Sequence, residues 1–450
     1  MDTRREFLKK IIIAGSFMAF GSMTFAEQEL PRKYTKTPFC NLYRAINGTP
    51  AMNLCRVIEL MGGIERIIGV DDIVVIKPNL QWWNQGAPNL ATLQAFVDLI
   101  MNRPGGFKGE VVIGENCHRG LTPWVSLQSG WAPRFERNSD LPNIANMNDL
   151  TADLKNRYGK RYSTCHWIDV MAGGKRVFSP VEGAGYVYCD GSGGVPLISF
   201  DNGKKGDGYR AVIMSYPIFK TDIGTIIDFR KGIWNKGSYT EQPFRFINFP
   251  ALNPHSSYCG ATSAVKNYLG ISDMSGGPDP CNGGRLIGNY CNFHSFPFNK
   301  WSPGPVPGML GAEIGVFMNT IRKADLNITT AEWTGLVSRT ELPVAHTRAV
   351  LACKDPVVLD YHATKYLLYP NSKIPIHNPD NKNGSLYHYL KKCAEVTGFV
   401  FDEEHVAVKS YDFYSKKLQD ESELVIRSDR QWGHDFKMLM KYFIMRYING

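Results

Sequence analysis

The chain has 450 residues and a formal net charge of +9 at pH 7, with Lys and Arg scattered among the acidic residues. No basic stripe with interleaved aromatic residues occurs, which excludes the usual nucleic-acid-binding proteins. The length exceeds what one compact core normally supports, so we expect two lobes or one large elaborated domain. The 43 glycines and 26 prolines predict many turns and long loops.

The amino terminus has the features of an export signal. Two adjacent arginines, Arg4 and Arg5, are followed by Phe7 and Leu8, then by an apolar run and a small-residue exit. This order is typical of a cleavable signal that the twin-arginine (Tat) machinery reads. The alternative is a short membrane anchor, but the run falls short of the ~20 apolar residues that span a bilayer. We therefore expect residues 1–26 to be a Tat signal peptide and the protein to be periplasmic or otherwise exported.

The expected mature chain is mildly basic. The signal contains four basic and two acidic residues, so its removal lowers the net charge from +9 to +7. No second run of about 18 apolar residues occurs, so we expect no membrane span after cleavage. All ten cysteines follow the signal, and an even number permits disulfides outside the cytoplasm, with a pairing that cannot be deduced. The absence of any Cys-x-x-Cys pair excludes zinc knuckles and ferredoxin-type iron–sulfur motifs.

Apolar periodicity predicts an α/β fold with a mostly parallel β-sheet and flanking helices. Residues 73–76 and 111–113 are continuous apolar runs typical of buried strands, and 92–101 between them has helical spacing. A strand, a helix and a strand in this order indicate a βαβ unit with parallel strands. Further strands are predicted at 210–214, 246–249, 326–328 and 349–352, and further helices at 52–68, 261–269, 311–322, 357–368, 386–397 and 436–447.

Three regions depart from this pattern. We expect an irregular insertion over about 120–202, a long Gly/Pro-rich loop over about 272–310, and a C-terminal helical extension over 386–450. The last predicted helix, 436–447, carries aromatic and Met residues around much of its surface, which favours contact with the protein core over binding to a membrane. The main domain is therefore expected to cover residues 27–385.

Four segments carry motifs in a fixed order along the chain. They are 74–80 (VVIKPNL), 111–116 (VVIGEN), 248–270 with its Lys-Asn pair, and 352–360 (ACKDPVVLD). Together they resemble the family catalogued as domain of unknown function 362. The sequence departs from that family at Glu115, where Asp is usual, and at Asn253, where Lys is usual. Family members commonly carry a Tat signal or a ferredoxin-like segment, and this chain has only the first, so the resemblance implies no iron–sulfur cofactor.

Polar residues follow two of the predicted strands. Lys77 and Asn79 come after the first, and Glu115, Asn116 and His118 come at the end of the second. Ligands of parallel α/β sheets gather at the carboxyl ends of strands, so we expect these side chains to share one cleft. Lys77 offers a positive charge to a carboxylate or phosphate, and Asn79 can both donate and accept. The alternative is that this segment is only a turn with a solvated or ion-paired lysine.

A third element could reach the same cleft. Lys266 and Asn267 lie on a predicted helix, and His255 precedes it. An imidazole near an ammonium stays neutral, which suits a base or a metal ligand; equally, the histidine could simply fill a loop. Asp355 precedes Pro356 and is predicted to cap a helix, whereas Asp360 within that helix remains an acid–base or metal-binding candidate.

These observations predict a small-molecule-binding protein. The predicted ligand-binding residues are Lys77, Asn79, Asn116, Lys266 and Asn267. The catalytic candidates are His255, Lys77, Glu115 and Asp360, and the candidate metal ligands are Glu115, His118 and His255. We expect a small anionic ligand, with a metal as an open possibility, and an enzyme is one interpretation. The alternative is a non-catalytic binding or assembly protein of the cell envelope.

Common catalytic and nucleotide-binding motifs do not occur in the sequence. Gly-x-Ser-x-Gly, the phosphate-binding Gly loop ending in Lys-Ser/Thr, and the dinucleotide Gly-x-Gly-x-x-Gly are all missing. Their absence excludes the most familiar hydrolase, NTPase and Rossmann interpretations. The expected partners are the Tat machinery and a small-molecule ligand.

Overall fold

A computed structural model describes residues 40–116, 130–189, 191, 193–195, 198–201, 209–274, 290–292, 309–420 and 423–447. The predicted signal with Arg4, Arg5, Phe7 and Leu8 lies outside these residues, as do His118 and most of the predicted loop 272–310.

The described helices alternate with strands along much of the chain. The α-helices are α1 (Pro50–Leu60), α2 (Leu90–Met101), α3 (Met147–Tyr158), α4 (Ala264–Asn267), α5 (Met309–Thr320), α6 (Pro356–Ala363), α7 (Tyr369–Ser372), α8 (Ser385–Thr397) and α9 (Phe436–Tyr447). A π-helical segment, Thr364–Leu368, joins α6 to α7. Short 3-10 helices are Ile64–Arg66, Asn84–Gly86, Gly159–Arg161, Val170–Ala172, Pro180–Glu182, Tyr268–Ile271 and Pro375–His377.

The strands belong to three sheets. The first ten are β1 (Cys40–Ile46), β2 (Ile73–Pro78), β3 (Glu110–Asn116), β4 (Tyr162–Trp167), β5 (Gly185–Cys189), β6 (Ile198–Asp201), β7 (Tyr209–Lys220), β8 (Ile226–Asp228), β9 (Gly232–Asn235) and β10 (Ser238–Tyr239). The others are β11 (Phe244–Phe249), β12 (Asn253–Pro254), β13 (Ala261–Thr262), β14 (Tyr290–Asn292), β15 (Leu326–Gly335), β16 (Val344–Cys353), β17 (Val406–Asp412), β18 (Lys417–Leu418) and β19 (Arg430–Gln431).

The main sheet is mostly parallel, which confirms the predicted α/β fold with flanking helices. Its order is β18-β17-β1-β16-β15-β11-β2-β3-β4, and β19 pairs with β16. The central pairs β15–β11, β11–β2, β2–β3 and β3–β4 are parallel, and so is β1–β17, whereas β16 runs antiparallel to both its neighbours in this order. The carboxyl ends of β1, β2, β3, β11 and β15 therefore point to the same rim of the sheet.

Apolar side chains cover both faces of this sheet. In β2, Ile73 and Val75 belong to one buried cluster and Val74 and Ile76 to another, because successive residues of a strand point to opposite faces. Helices α1, α2 and α3 contribute to the second cluster, and α5, α6 and α8 contribute to the first. The domain thus has a helix layer on each side of the sheet, an arrangement that buries continuous apolar strands such as β2.

The predicted insertion contains regular structure. Helix α3 and strand β4 lie within 120–202, and β4 extends the main sheet in parallel to β3. Helix α3 was not predicted because it buries only Met147, Leu150 and Leu154, which form a narrow stripe in a polar segment. Strands β5 and β6 pair with β7 in a separate seven-stranded sheet, which has the order β10-β9-β8-β7-β14.

The carboxyl-terminal region also differs from the helical extension that the sequence predicted. Between α8 and α9, strand β17 joins the main sheet beside β1, and β18 pairs with β17. Strand β17 was not predicted because most of its residues are exposed or half-buried. Only Val406 and Ser410 are buried. Helix α9 contacts the rest of the protein through buried Tyr442, while Phe436 and Tyr447 are largely exposed.

Among the described residues, no helix combines the length and the apolar character needed to cross a bilayer. Seven described cysteines, Cys40, Cys55, Cys165, Cys189, Cys259, Cys353 and Cys393, are free thiols. The sulfur atoms of Cys40 and Cys353 lie 3.3 Å apart.

Candidate functional site

A buried ion pair links the carboxyl ends of β2 and β3. Lys77 is 1% exposed, and its Nζ donates to Glu115 Oε2 at 2.9 Å, to Asn267 Oδ1 at 2.6 Å and to the Pro78 carbonyl at 2.9 Å. An ammonium has three N–H donors, so these bonds use all of them. Lys77 therefore joins β2, β3 and α4 at one point.

Burial governs the electrostatics of this pair. It lowers the pKa of the Lys77 ammonium, and the attraction of Glu115 opposes that shift. Burial also raises the pKa of Glu115 to about 7, although Lys77 and the backbone N–H groups of Leu80 and Asn116 favour its ionised form. Both shifts have the same cause, because a low-dielectric environment disfavours each charge.

The raised pKa of Glu115 predicts a pH-dependent stability. The pKa is about 7 in the folded protein and about 4.3 in an unfolded chain. Between these values the folded state binds more protons, so this carboxyl lowers the free energy of unfolding as pH rises. We expect the urea midpoint of the wild-type protein to fall relative to that of Glu115→Gln between pH 5 and pH 8. Parallel midpoints for the two proteins would contradict the raised pKa.

Asparagine side chains extend the contacts of Lys77 across the sheet. Asn267 Nδ2 donates to the Lys77 carbonyl at 3.0 Å and to Asn248 Oδ1 at 2.7 Å. Asn248 Nδ2 donates in turn to the Ala264 carbonyl and to Asn327 Oδ1, each at 2.8 Å. These bonds fasten the short helix α4 to strands β2, β11 and β15.

Asp360 binds the backbone at the start of α4. Its two carboxylate oxygens accept from the backbone N–H groups of Ala264 at 2.7 Å and Val265 at 2.9 Å. Burial raises the pKa of Asp360 to about 7, and these hydrogen bonds oppose the shift. Asp355 caps α6 as predicted, accepting from Val357 and Val358. Asp360 therefore acts on the position of α4, and it does not line the cavity described next.

A cavity of about 60 Å³ lies beside the Lys77–Glu115 pair at the carboxyl rim of the sheet. Its lining consists of Lys77, Asn79, Leu80, Gln81, Trp82, Gly86, Glu115, Asn116, Asn253, Thr262, Lys266, Asn267, Leu269, Gly270, Met274 and Arg339. We call it the rim cavity. Three basic side chains and one acidic side chain line it, so the lining carries excess positive charge.

The backbone at Gly270 lies close to Lys77 and Glu115 in the lining of the rim cavity. A Cβ atom at this position would lie 2.6 Å from both Lys77 Nζ and Glu115 Oε1. Gly86 is similarly close to its neighbours, since a Cβ there would lie 2.9 Å from the Arg339 carbonyl. Only glycine allows these approaches without displacing the surrounding atoms.

Several polar atoms in the lining lack a partner. Among the described residues, buried Trp82 Nε1, Asn116 Oδ1, Asn253 Oδ1 and Thr262 Oγ1 make no hydrogen bond. Buried polar groups in proteins are nearly always paired with protein, water or a ligand. Four such atoms around one cavity could form hydrogen bonds with water or a ligand there.

The structure brings together most of the residues that the sequence singled out. All five predicted ligand-binding residues and Glu115 line the rim cavity. Asn79 also binds two neighbouring backbone segments. Its Oδ1 accepts from the Ala251 N–H at 2.8 Å, and its Nδ2 donates to the Gly86 carbonyl at 3.3 Å. Lys266 is 6% exposed and projects from α4 into the same lining.

His255 does not line the rim cavity. Its backbone N–H donates to the Gly260 carbonyl, and its Nδ1 accepts from the Ser256 N–H at 2.9 Å, so it sits in the turn that joins β12 to β13. His118 lies outside the described residues. Within the described part of the chain, no group of three or more His, Cys, Asp or Glu side chains could hold a metal ion.

Other lining residues were not predicted. Arg339 comes from the segment between β15 and β16, and its guanidinium carbon lies 5.8 Å from the Trp82 ring centre. Neither residue has a local pattern that indicates a site. Asn253 had one signal, since it stands where the resembled family usually has Lys.

Comparison with known proteins found no match. The chain matches no protein-family model, and neither a curated protein nor a solved structure resembles it significantly. The resemblance to the domain of unknown function 362 family therefore stays a prediction from sequence motifs.

Proposed function

We propose that this chain is an exported protein that binds a small anionic ligand in the rim cavity. The observation that carries this proposal is the composition of the lining, in which Lys77, Lys266 and Arg339 outnumber the single acid Glu115. Two donors in the lining, Trp82 Nε1 and Thr262 Oγ1, have no partner among the described residues. An anion would complement the positive charge of the lining and accept from both donors.

The location of the rim cavity supports the same proposal. Ligands of open α/β sheets bind outside the carboxyl ends of the strands, and the cavity is lined by residues that lie at or after the carboxyl ends of β2, β3, β11 and β15. The excess positive charge favours an anion over a metal cation. Export by the Tat machinery rests on the Arg4-Arg5 signal pattern and forms part of the proposal.

One observation favours the alternative of a non-catalytic envelope protein. The polar groups of three lining residues form internal hydrogen bonds; these residues are Lys77, Asn79 and Asn267. Residues that only hold loops together would form bonds of this kind. In that case the same side chains would support stability without contributing to affinity. The two interpretations therefore differ in what substitution of Lys266 does.

Lys266→Met tests the proposal. We expect the affinity for the best binder among acetate, phosphate, sulfate and glycerate to fall at least about tenfold, roughly 1.4 kcal/mol, because a buried cation beside the ligand is lost. Isothermal titration calorimetry of the full chain at fixed ionic strength measures this change. Thermal unfolding of the same samples reports whether the fold survives.

Lys392→Met serves as the matched control. Lys392 lies on α8, is 44% exposed and pairs with Glu395 at 2.7 Å, so its loss removes one positive charge that does not belong to the lining. Its anion affinity should equal that of the wild-type protein. If none of the four anions binds the wild-type protein, or if Lys266→Met binds them as well as wild type does, the proposed function is wrong.

A further inference from the structure

Within the described part of the chain, two hydrogen-bond acceptors of the residues that line the rim cavity have no partner. They are Asn116 Oδ1 and Asn253 Oδ1, on side chains that are 4% and 0% exposed. An anion offers acceptors, so it can satisfy Trp82 Nε1 and Thr262 Oγ1 but not these two oxygens. Charge alone therefore does not account for the lining.

The orientation of both amides follows from their other contacts. Asn253 Nδ2 lies 3.2 Å from the Ala251 carbonyl and 3.4 Å from the Gly86 carbonyl, and both of these groups only accept. Asn116 Nδ2 lies 2.7 Å from Asp169 Oδ1, 2.7 Å from the Tyr186 hydroxyl and 3.2 Å from the Ser272 carbonyl, of which the carbonyl can only accept. Exchanging nitrogen and oxygen would place the amide oxygen against a carbonyl oxygen in both residues. The unpaired atoms are therefore acceptors, and they require donors.

We propose that the ligand is a small hydroxycarboxylate, with its carboxylate toward Lys266 and Arg339 and its hydroxyl groups donating to Asn116 and Asn253. This inference rests on the proposed function and names the ligand class for the same cavity. A hydroxyl is a donor that stays neutral beside a carboxylate, so one molecule can satisfy the cations and both amide oxygens.

A simple carboxylate fits the lining less well. It presents only acceptors, and on binding it would displace water that can donate to the two amide oxygens. Sites built to hydrogen-bond a substrate hydroxyl discriminate strongly against the analogue that lacks it, since the polar groups of the protein are left unpaired. Sulfate has the same deficiency.

The cavity volume limits the size of the bound group. It is about 60 Å³, well below the ~150 Å³ of an engineered cavity that accepts benzene. A molecule of two or three carbons, or the hydroxyacid end of a larger one, is the appropriate scale.

The test is a series of three-carbon acids titrated into the unaltered full chain. Propionate, lactate and glycerate share a carboxylate and carry zero, one and two hydroxyl groups. We expect affinity to rise along this series, with glycerate binding at least about tenfold more tightly than propionate. Calorimetry at pH 7.5 and constant ionic strength, with sulfate and phosphate as reference anions, gives the ranking.

The outcomes separate this inference from the proposed function. Equal binding of propionate and glycerate overturns the hydroxycarboxylate assignment while leaving an anion site in place. Phosphate binding more tightly than glycerate also overturns it, because a protonated phosphate would then be the better donor and acceptor. If none of these anions binds, both proposals fail.

Asn253→Leu assigns the effect to a residue. Leucine has the same branched arrangement of heavy atoms as asparagine but offers no acceptor, so the advantage of glycerate over lactate should shrink severalfold. An undiminished advantage in a folded Asn253→Leu variant would exclude Asn253 as the hydroxyl acceptor. Should the variant not fold, the ligand series on the unaltered chain still decides the ligand class.

Discussion

Replacing Lys77 with methionine should lower the free energy of unfolding by about 3–5 kcal/mol, as is typical when one partner of a buried ion pair is removed. Lys77 is 1% exposed, and all three of its N–H groups are used by Pro78, Glu115 and Asn267. The substitution leaves a buried carboxyl and two buried oxygens without their donor. Urea unfolding of the purified full chain measures the loss.

A double variant distinguishes the effect of breaking the buried ion pair from the effect of losing packing contacts. In Lys77→Met/Glu115→Leu both charged partners are replaced by apolar side chains, which is often nearly neutral. We expect this double variant to recover more than half of the stability that Lys77→Met loses, so the two substitutions should be strongly non-additive. Lys392→Met, at an exposed pair, should cost less than about 1 kcal/mol. A Lys77→Met protein within 1 kcal/mol of wild type would contradict the structural role of Lys77.

This role changes how Lys77 is interpreted. The sequence placed Lys77 at the carboxyl end of an apolar strand and predicted a direct ligand contact, and the structure places it in the lining with its donors already paired. Lys266 lies beside the same cavity on a different element. The two lysines should therefore respond differently to substitution, Lys77 chiefly in stability and Lys266 chiefly in affinity.

The predictable part of the fold is the part with continuous apolar runs. Strands β2 and β3 and helix α2 were predicted because their residues are buried on a simple period. Strand β4 was missed, since Ser163, Thr164 and His166 interrupt the apolar run. Its place in the sheet depends on parallel pairing with β3, which is a tertiary contact that no local pattern encodes.

The same division applies to the candidate site. Residues at the carboxyl ends of strands, such as Lys77 and Asn116, were predicted because strand ends converge at one rim. Arg339 was not, because its position depends on contacts between distant segments: the Gln85 side chain donates to the carbonyls of Ser338 at 3.3 Å and Glu341 at 2.9 Å. These contacts hold the segment after β15 against the short helix that carries Gly86.

Asp360→Ala should both destabilise the protein and weaken anion binding. Its carboxylate pairs with the N–H groups of Ala264 and Val265, and alanine would leave both donors buried without an acceptor, at a cost of about 2–4 kcal/mol in the free energy of unfolding. Helix α4 has only four residues, and these two hydrogen bonds fix its first backbone N–H groups. Because Lys266 lies on this helix, its displacement should reduce the affinity of the rim cavity.

A helix cap elsewhere in the protein provides the control for Asp360. Thr49 caps α1 by accepting from the Met52 N–H at 3.2 Å, and Thr49→Ala should cost about 1 kcal/mol. Its anion affinity should stay unchanged, since α1 contributes no residue to the lining. If Asp360→Ala binds anions as tightly as Thr49→Ala when both are folded, then the position of α4 does not depend on Asp360. An affinity loss confined to Asp360→Ala would instead link a buried carboxyl outside the cavity to the geometry of Lys266.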